Sequence, residues 1–233
     1  MRIFLPLLPG LLYLSPLLAQ KTEFALSLNS GLFSFAGRSA TGTSAINFTA
    51  NLPGYTNDPY GSGAGWCDGL SAEVNRVTHR HLLFGVSLGY EALRSRLDVT
   101  SVNISGVDFY SVSAQGHTTL TTQFINFFPS LGYRFRPGKI TVDLTGGLDL
   151  GYCLGAEENG KAYASNGTAY TASRDRKTIT ADIRQRLQVA VGYRKTAFYV
   201  GYSYGIVNYM AGYVGGPTGA YARFLRFGVK YRI

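Results

Sequence analysis

The chain has 233 residues, with 15% charged, 29 Gly, 17 Tyr and 14 Phe. That charge content falls below the roughly 25% of an ordinary soluble domain, and the length suits a single all-β domain. The formal net charge of +9 is spread along the chain rather than gathered on a run or helix. This sets nucleic acid aside as a partner and favours anionic lipid headgroups or lipopolysaccharide phosphates.

Taken in chain order, Met1-Arg2-Ile3 gives a short basic start, residues 4–18 are almost wholly apolar, and Ala19-Gln20-Lys21 returns to polarity. This is the layout of a secretory signal peptide, with cleavage expected after Ala19, so residues 1–19 form the leader and 20–233 the domain. The run is too short, and too broken by Pro6, Pro9 and Pro16, for a spanning helix. Any membrane insertion must therefore use strands.

Period-two alternation then recurs along the whole chain. Residues 22–32 carry Phe24, Leu26 and Leu28 on one face, and residues 66–76 set Leu70, Ala72 and Val74 against Glu73 and Asn75. Phe84, Val86, Leu88 and Tyr90 oppose Gly85, Ser87, Gly89 and Glu91. Residues 123–135 place Ile125, Phe127, Leu131, Tyr133 and Phe135 opposite Asn126, Ser130 and Arg134. The clearest case is 139–154, where Ile140, Val142, Leu144, Leu148 and Leu150 face away from Asp143 and Asp149. Residues 179–193 oppose Leu187, Val189 and Val191 to Asp182, Arg184, Arg186 and Gln188. Residues 196–208 carry Phe198, Val200, Tyr202 and Tyr204, and the last strand sets Leu225, Phe227, Val229 and Tyr231 against Arg226, Lys230 and Arg232. About eight strands follow, each with a wet face and an apolar face.

The connections alternate in length. Short links lie at 77–81, 136–139 and 194–195, and long ones at roughly 36–64, 97–118, 155–177 and 209–220. This rhythm predicts a transmembrane antiparallel up-and-down barrel, with tight periplasmic turns, long outer loops and both termini in the periplasm. The long segments are rich in Gly, Ser, Thr, Asn and Tyr, as in residues 55–63, and are expected to be exposed and mobile. Tyr133, Phe135, Tyr193, Phe198 and Tyr231 flank the short turns, where an aromatic girdle is expected, and Trp66 marks the outer interface.

The strand ends Ser130-Leu131-Gly132-Tyr133-Arg134-Phe135 and Gly228-Val229-Lys230-Tyr231-Arg232, with Leu18-Ala19-Gln20-Lys21 closing the leader, resemble the outer-membrane β-barrel family of the Bacteroidetes called PorT-like. The resemblance covers the mature chain and implies fold and place, a small porin-like outer-membrane protein, without a substrate.

By parity Glu73, Glu91, Asp143, Asp149 and Asp182 point into the lumen, as do Arg134, Arg184, Arg186, Arg226 and Lys230. In so narrow a barrel they are expected to pair into a polar plug, and the competing expectation is a narrow solute path or ligand site. Cys67 and Cys153 share the inward parity near the outer end, so either a disulfide across the mouth or two small lumen residues fits. His79 and His81 share a short turn without further metal ligands, and His117 lacks an evident acidic partner for hydrolytic chemistry. No catalytic, cofactor or metal motif is present. The expectation is a non-enzymatic outer-membrane barrel that meets lipid, lipopolysaccharide and, through its long loops, envelope proteins or extracellular ligands. The competing expectations are a lipid A-modifying enzyme on the same fold and a soluble exported lipocalin-like barrel.

Overall fold

The computed structural model describes residues 19–49, 52–106, 108–212 and 219–233. The expected leader lies outside them up to residue 18. None of the described residues forms a helix long and apolar enough to cross a membrane. They form eleven strands: β1 (Ala19–Ala36), β2 (Thr43–Thr49), β3 (Leu52–Thr56), β4 (Gly63–Thr78), β5 (Leu82–Ser105), β6 (Phe109–Phe135), β7 (Ile140–Ala164), β8 (Ala169–Asp175), β9 (Ala181–Tyr193), β10 (Thr196–Gly205) and β11 (Tyr221–Arg232).

Eight of these close a ring. Antiparallel pairing runs β1–β4–β5–β6–β7–β9–β10–β11 and returns from β11 to β1 through registers such as Leu28↔Val229. The expected eight-stranded meander is therefore present as a subset of a larger sheet. Closure removes both sheet edges, so no barrel strand is left with an unpaired row of backbone groups.

The other three strands correct the sequence reading. Stretches 36–64, 97–118 and 155–177, expected to be mobile loops, are largely sheet. Beyond the barrel, β5, β6 and β7 continue upward, β2 joins β5 in parallel, β8 joins β7, and β3 bridges β2 to β8. The order β5–β6–β7–β8–β3–β2 and back to β5 closes a second, six-stranded ring on top of the first. Thr56 and Tyr60, in the stretch expected to be exposed, are buried.

The two rings have opposite polarity. In the lower ring large apolar side chains point outward on every strand, with Leu28 at 70% exposure, Leu187 at 69% and Phe198 at 67%. The outward apolar run covers residues 82–90 on β5 and 125–135 on β6, about the 9–11 residues a tilted strand needs to cross a bilayer. Above it, β6 turns Gln123, Thr121, His117 and Gln115 outward, and β5 turns out Arg94, Arg96 and Asp98. The inward residues there become Val99, Val102, Ala114, Ala162 and Ala172, around Ile46. On β7 an extra residue at Leu154 shifts the register between Gln123↔Gly155 and Phe124↔Cys153. Outward positions then pass from even numbers (Tyr152, Leu154) to odd ones (Glu157, Asn159).

The short turns fall as expected. Pro137-Gly138 supplies a positive φ of 64° at glycine, whereas His81 and Arg194 adopt positive φ without one.

This polarity boundary predicts opposite outcomes for one substitution type. Leu148→Arg, in the apolar belt, should destabilise the folded barrel in vesicles by about 2–4 kcal/mol. Gln115→Arg, in the upper ring, should stay within about 0.5 kcal/mol. Urea unfolding of both variants measures it.

Candidate functional site

Strand register builds the lumen in tiers. Nearest the short turns, Arg134 on β6 directly opposes Asp143 on β7. Its guanidinium donates to both carboxylate oxygens at 2.6 and 2.8 Å, and to Glu23 of β1 at 2.9 and 3.0 Å. Arg232 donates to Asp143 at 3.2 Å and lies 3.7 Å from Glu23. This forked geometry suits arginine, whose planar donors match carboxylate oxygens two at a time.

Beside this tier Lys230 donates to Glu73 at 2.6 Å, and Asn75 donates to the same carboxylate. Lys230 also lies 5.1 Å from the centre of the Tyr199 ring. Gly228 makes room for that ring, since a Cβ there would sit 2.8 Å from it.

At mid-height Arg226 bridges Asp149 at 2.8 Å and Glu91 at 3.0 Å. Arg184 lies opposite Asp149 in register and reaches Glu91 at 3.2 Å, Asp149 at 3.4 Å and Asp182 at 3.4 Å. Arg184, Arg226, Asp149 and Asp182 are all 0% exposed. Arg186 donates to Gln188 and stacks 4.2 Å from the centre of the Phe128 ring.

Of the charged residues that sequence parity placed in the lumen, all but Arg186 are joined in ion pairs, and Arg186 donates to Gln188 beside them. Parity reading named neither Glu23 nor Arg232 as a partner, although Glu23 alternates with the outward Phe24 and was legible on that ground. Together Glu23, Glu73, Glu91, Asp143, Asp149 and Asp182 face Arg134, Arg184, Arg186, Arg226, Lys230 and Arg232. With all groups ionised these charges cancel, so the lumen offers no net charge to select an ion. The free space beside Glu91, Asn126, Asp149 and Arg186 is about 10 Å³, the room for one water.

Above the charges an apolar plug fills the mouth. Phe33, Phe35, Phe124 and Phe224 pack with Tyr60 and Tyr209. The rings of Phe35 and Tyr60, and of Phe35 and Tyr209, meet edge-on at 4.9 Å. The Tyr209 hydroxyl donates to Asp182 at 2.8 Å and so ties the 209–220 connection to the lumen. Burial, then the Asp182 carboxylate, holds the Tyr209 phenol well above its usual range.

The upper ring has its own buried charge. Glu158 of β7 accepts from the Thr56 amide at 3.1 Å, the Thr56 hydroxyl at 2.5 Å and Arg176 Nε at 2.8 Å. Sequence reading missed this triad because the Leu154 bulge reverses parity just before Glu158.

The remaining candidates do not converge. Cys67 and Cys153 are free thiols in the structure. Both pack against the plug. His81 rests against Tyr133 with ring centres 6.1 Å apart. His117 stands between Asp98 and Lys161 in register, so strand pairing gives it the acidic neighbour that the sequence alone did not show. Among the described residues no group of three His, Cys, Asp or Glu is placed to hold a metal. Trp66 is exposed at the outer end of β4 and packs on Phe227 at 5.6 Å.

No protein family matches the chain, and no curated protein matches it. The likeness to the Bacteroidetes barrels thus rests on the strand-end residues and Leu18-Ala19-Gln20-Lys21 alone. Among solved structures, the chain is similar to Neisserial surface protein A at 11% identity and a TM-score of 0.39, over 92% of this chain and 100% of that one. It is also similar to the attachment invasion locus protein Ail of Yersinia pestis, solved with the heparin analogue sucrose octasulfate, at 11% identity and a TM-score of 0.36. That match covers 92% of this chain and 100% of Ail. A second structure of Ail gives 10% identity and a TM-score of 0.33 over the same shares.

Two substitutions test the tiers. Arg226→Met leaves Asp149 and Glu91 short of a shared cation and should cost about 3–5 kcal/mol in urea unfolding; a loss below about 1 kcal/mol would refute a structural network. Glu158→Ala should instead loosen only the upper ring. Trypsin should then cut after Arg174 or Arg176 at least tenfold faster while the lower barrel stays folded.

Proposed function

We propose that the chain is a non-enzymatic, integral outer-membrane β-barrel whose sealed lower ring anchors a folded, polar-faced sheet outside the bilayer for interaction with envelope or extracellular partners. The observation that carries this reading is the polarity inversion between two closed rings. An apolar-out, polar-in ring satisfies every backbone group by pairing and can stand in hydrocarbon. A polar-out, apolar-in ring is built for water. The lower ring also has the opposite polarity to a lipocalin-like barrel, so a soluble export is disfavoured.

Strand lengths support the same reading. β5, β6 and β7 run for 24, 27 and 25 residues, well over the 9–11 that a crossing needs, and the excess carries the second ring. The ends of β1 and β11 meet at the short-turn side through Ala25↔Arg232. In this reading that side, with both termini, faces the periplasm, and the second ring faces outward above lipopolysaccharide. The balanced and filled lumen favours an anchoring and interaction role over a narrow pore. The strand-end likeness to the PorT-like barrels of the Bacteroidetes belongs to the same proposal.

Planar bilayers test it. The folded chain is expected to give no steady conductance. Stable single-channel steps that change when Arg184 is replaced by Gln would overturn the sealed-anchor reading in favour of a pore.

A further inference from the structure

Each of the three short turns carries two exposed basic residues: Arg76 and Arg80 at the first, Arg136 and Lys139 at the second, Arg194 and Lys195 at the third. Nearby carboxylates do not offset them, because Glu23, Glu73 and Asp143 are turned into the lumen and paired there. The opposite rim mixes signs, as in the exposed pairs Arg94–Asp68 and Arg96–Asp98. Among the described side chains that end of the barrel presents exposed cations and no exposed carboxylate, directly beside the apolar belt.

At the third turn these cations edge a cleft of about 560 Å³. Ile140, Val191, Tyr193 and Phe198 form its wall on the outward apolar face, and Arg194 and Lys195 stand at its polar end. Arg194 lies 5.3 Å from the centre of the Tyr193 ring, and Lys195 lies 5.9 Å from that of Tyr231. Neither has an ion pair among the described residues. The Lys195 carbonyl accepts from the Arg232 amide at 2.7 Å, which fixes the turn against the end of β11.

The backbone adds an independent sign. Arg194 holds a φ of +52°, a region that disfavours side chains and that glycine enters freely. The turn keeps a guanidinium where glycine would relax it, and strain of this kind tends to mark a functional position.

We propose that this cleft binds an anionic glycerophospholipid. The headgroup phosphate accepts from the Arg194 fork and pairs with Lys195, and an acyl chain lies along Val191, Tyr193 and Phe198. A free phosphate matches only the polar end and leaves the apolar wall unused, so the lipid is the occupant that uses the whole cleft. The inference rests on the membrane-barrel reading above. It adds a specific lipid site and a reason for the orientation of the chain.

The test uses the mature chain folded into phosphatidylcholine vesicles doped with a photoactivatable phosphatidylglycerol, with crosslinks mapped by peptide. Labelling of residues 191–198 should exceed that by photoactivatable phosphatidylcholine roughly tenfold, as two cations near one headgroup imply. Arg194→Gly combined with Lys195→Asn, which relaxes the turn, should reduce it to the phosphatidylcholine level while the heat-dependent gel shift of a folded barrel persists. Arg223→Gln, at the other end, should leave it unchanged. Equal labelling by both lipids, or labelling that survives the double substitution, would overturn the site. Displacement by millimolar inorganic phosphate, or stronger labelling by a lipid A probe, would assign a different ligand and overturn it too. A wild-type chain without the heat-dependent shift would instead refute the barrel reading itself.

Discussion

The pairing of β1 with β11, from Ala25↔Arg232 to Ala36↔Tyr221, is the constraint on which the rest of the structure depends. In hydrocarbon an unpaired backbone amide has no water to fall back on, so a sheet can stand there only if its first and last strands meet. Once that seam is closed the enclosed volume is fixed and narrow. Side chains pointing inward can then no longer reach bulk solvent and must satisfy one another. The ion-pair tiers follow from closure: six carboxylates and six cations share a space in which any one left alone would be costly.

The same closure explains why the lumen is a poor place for selective chemistry. Arg184 and Arg226 are fully buried and committed to Asp149, Glu91 and Asp182. The aromatic plug of Phe33, Phe35, Phe124 and Phe224 caps them from above. What remains available is the outside of the molecule. The upper ring buries Ile46, Val99, Val102 and Ala162, and its outer face is mostly polar, with Leu52, Phe109 and Tyr163 exposed among the polar residues. In the proposed reading a membrane anchor and a water-facing sheet are built from the same three long strands, β5, β6 and β7, along which the polarity of the outer face changes.

Much of the lower barrel was legible because period-two alternation over ten or more residues has few other readings. The inward parity of Asp149, Arg184 and Arg226 and the outward parity of Leu187 and Phe198 both follow from it. The upper ring was not legible for two reasons. Its small inward residues, such as Ala114 and Ala162, give a weak alternation signal among many Ser, Thr and Gly. The bulge at Leu154 also exchanges the inward and outward positions, so Glu158 cannot be placed by counting from Asp149. Its pairings are moreover long-range and partly parallel, as in Gly54↔Ala172, and no local turn signal announces them.

What the sequence determined by itself was therefore local: which strands are two-faced, where the short turns fall, and which charges lie on the wet face. Alternation and turn chemistry are properties of neighbouring residues and survive without the fold. Partner choice was decided only by the tertiary structure. Arg134 takes Glu23 as well as Asp143, Cys67 and Cys153 pack against one aromatic plug, and apparent loops close into a second ring. Each of those outcomes depends on the register between distant strands and on the narrow space that closure leaves.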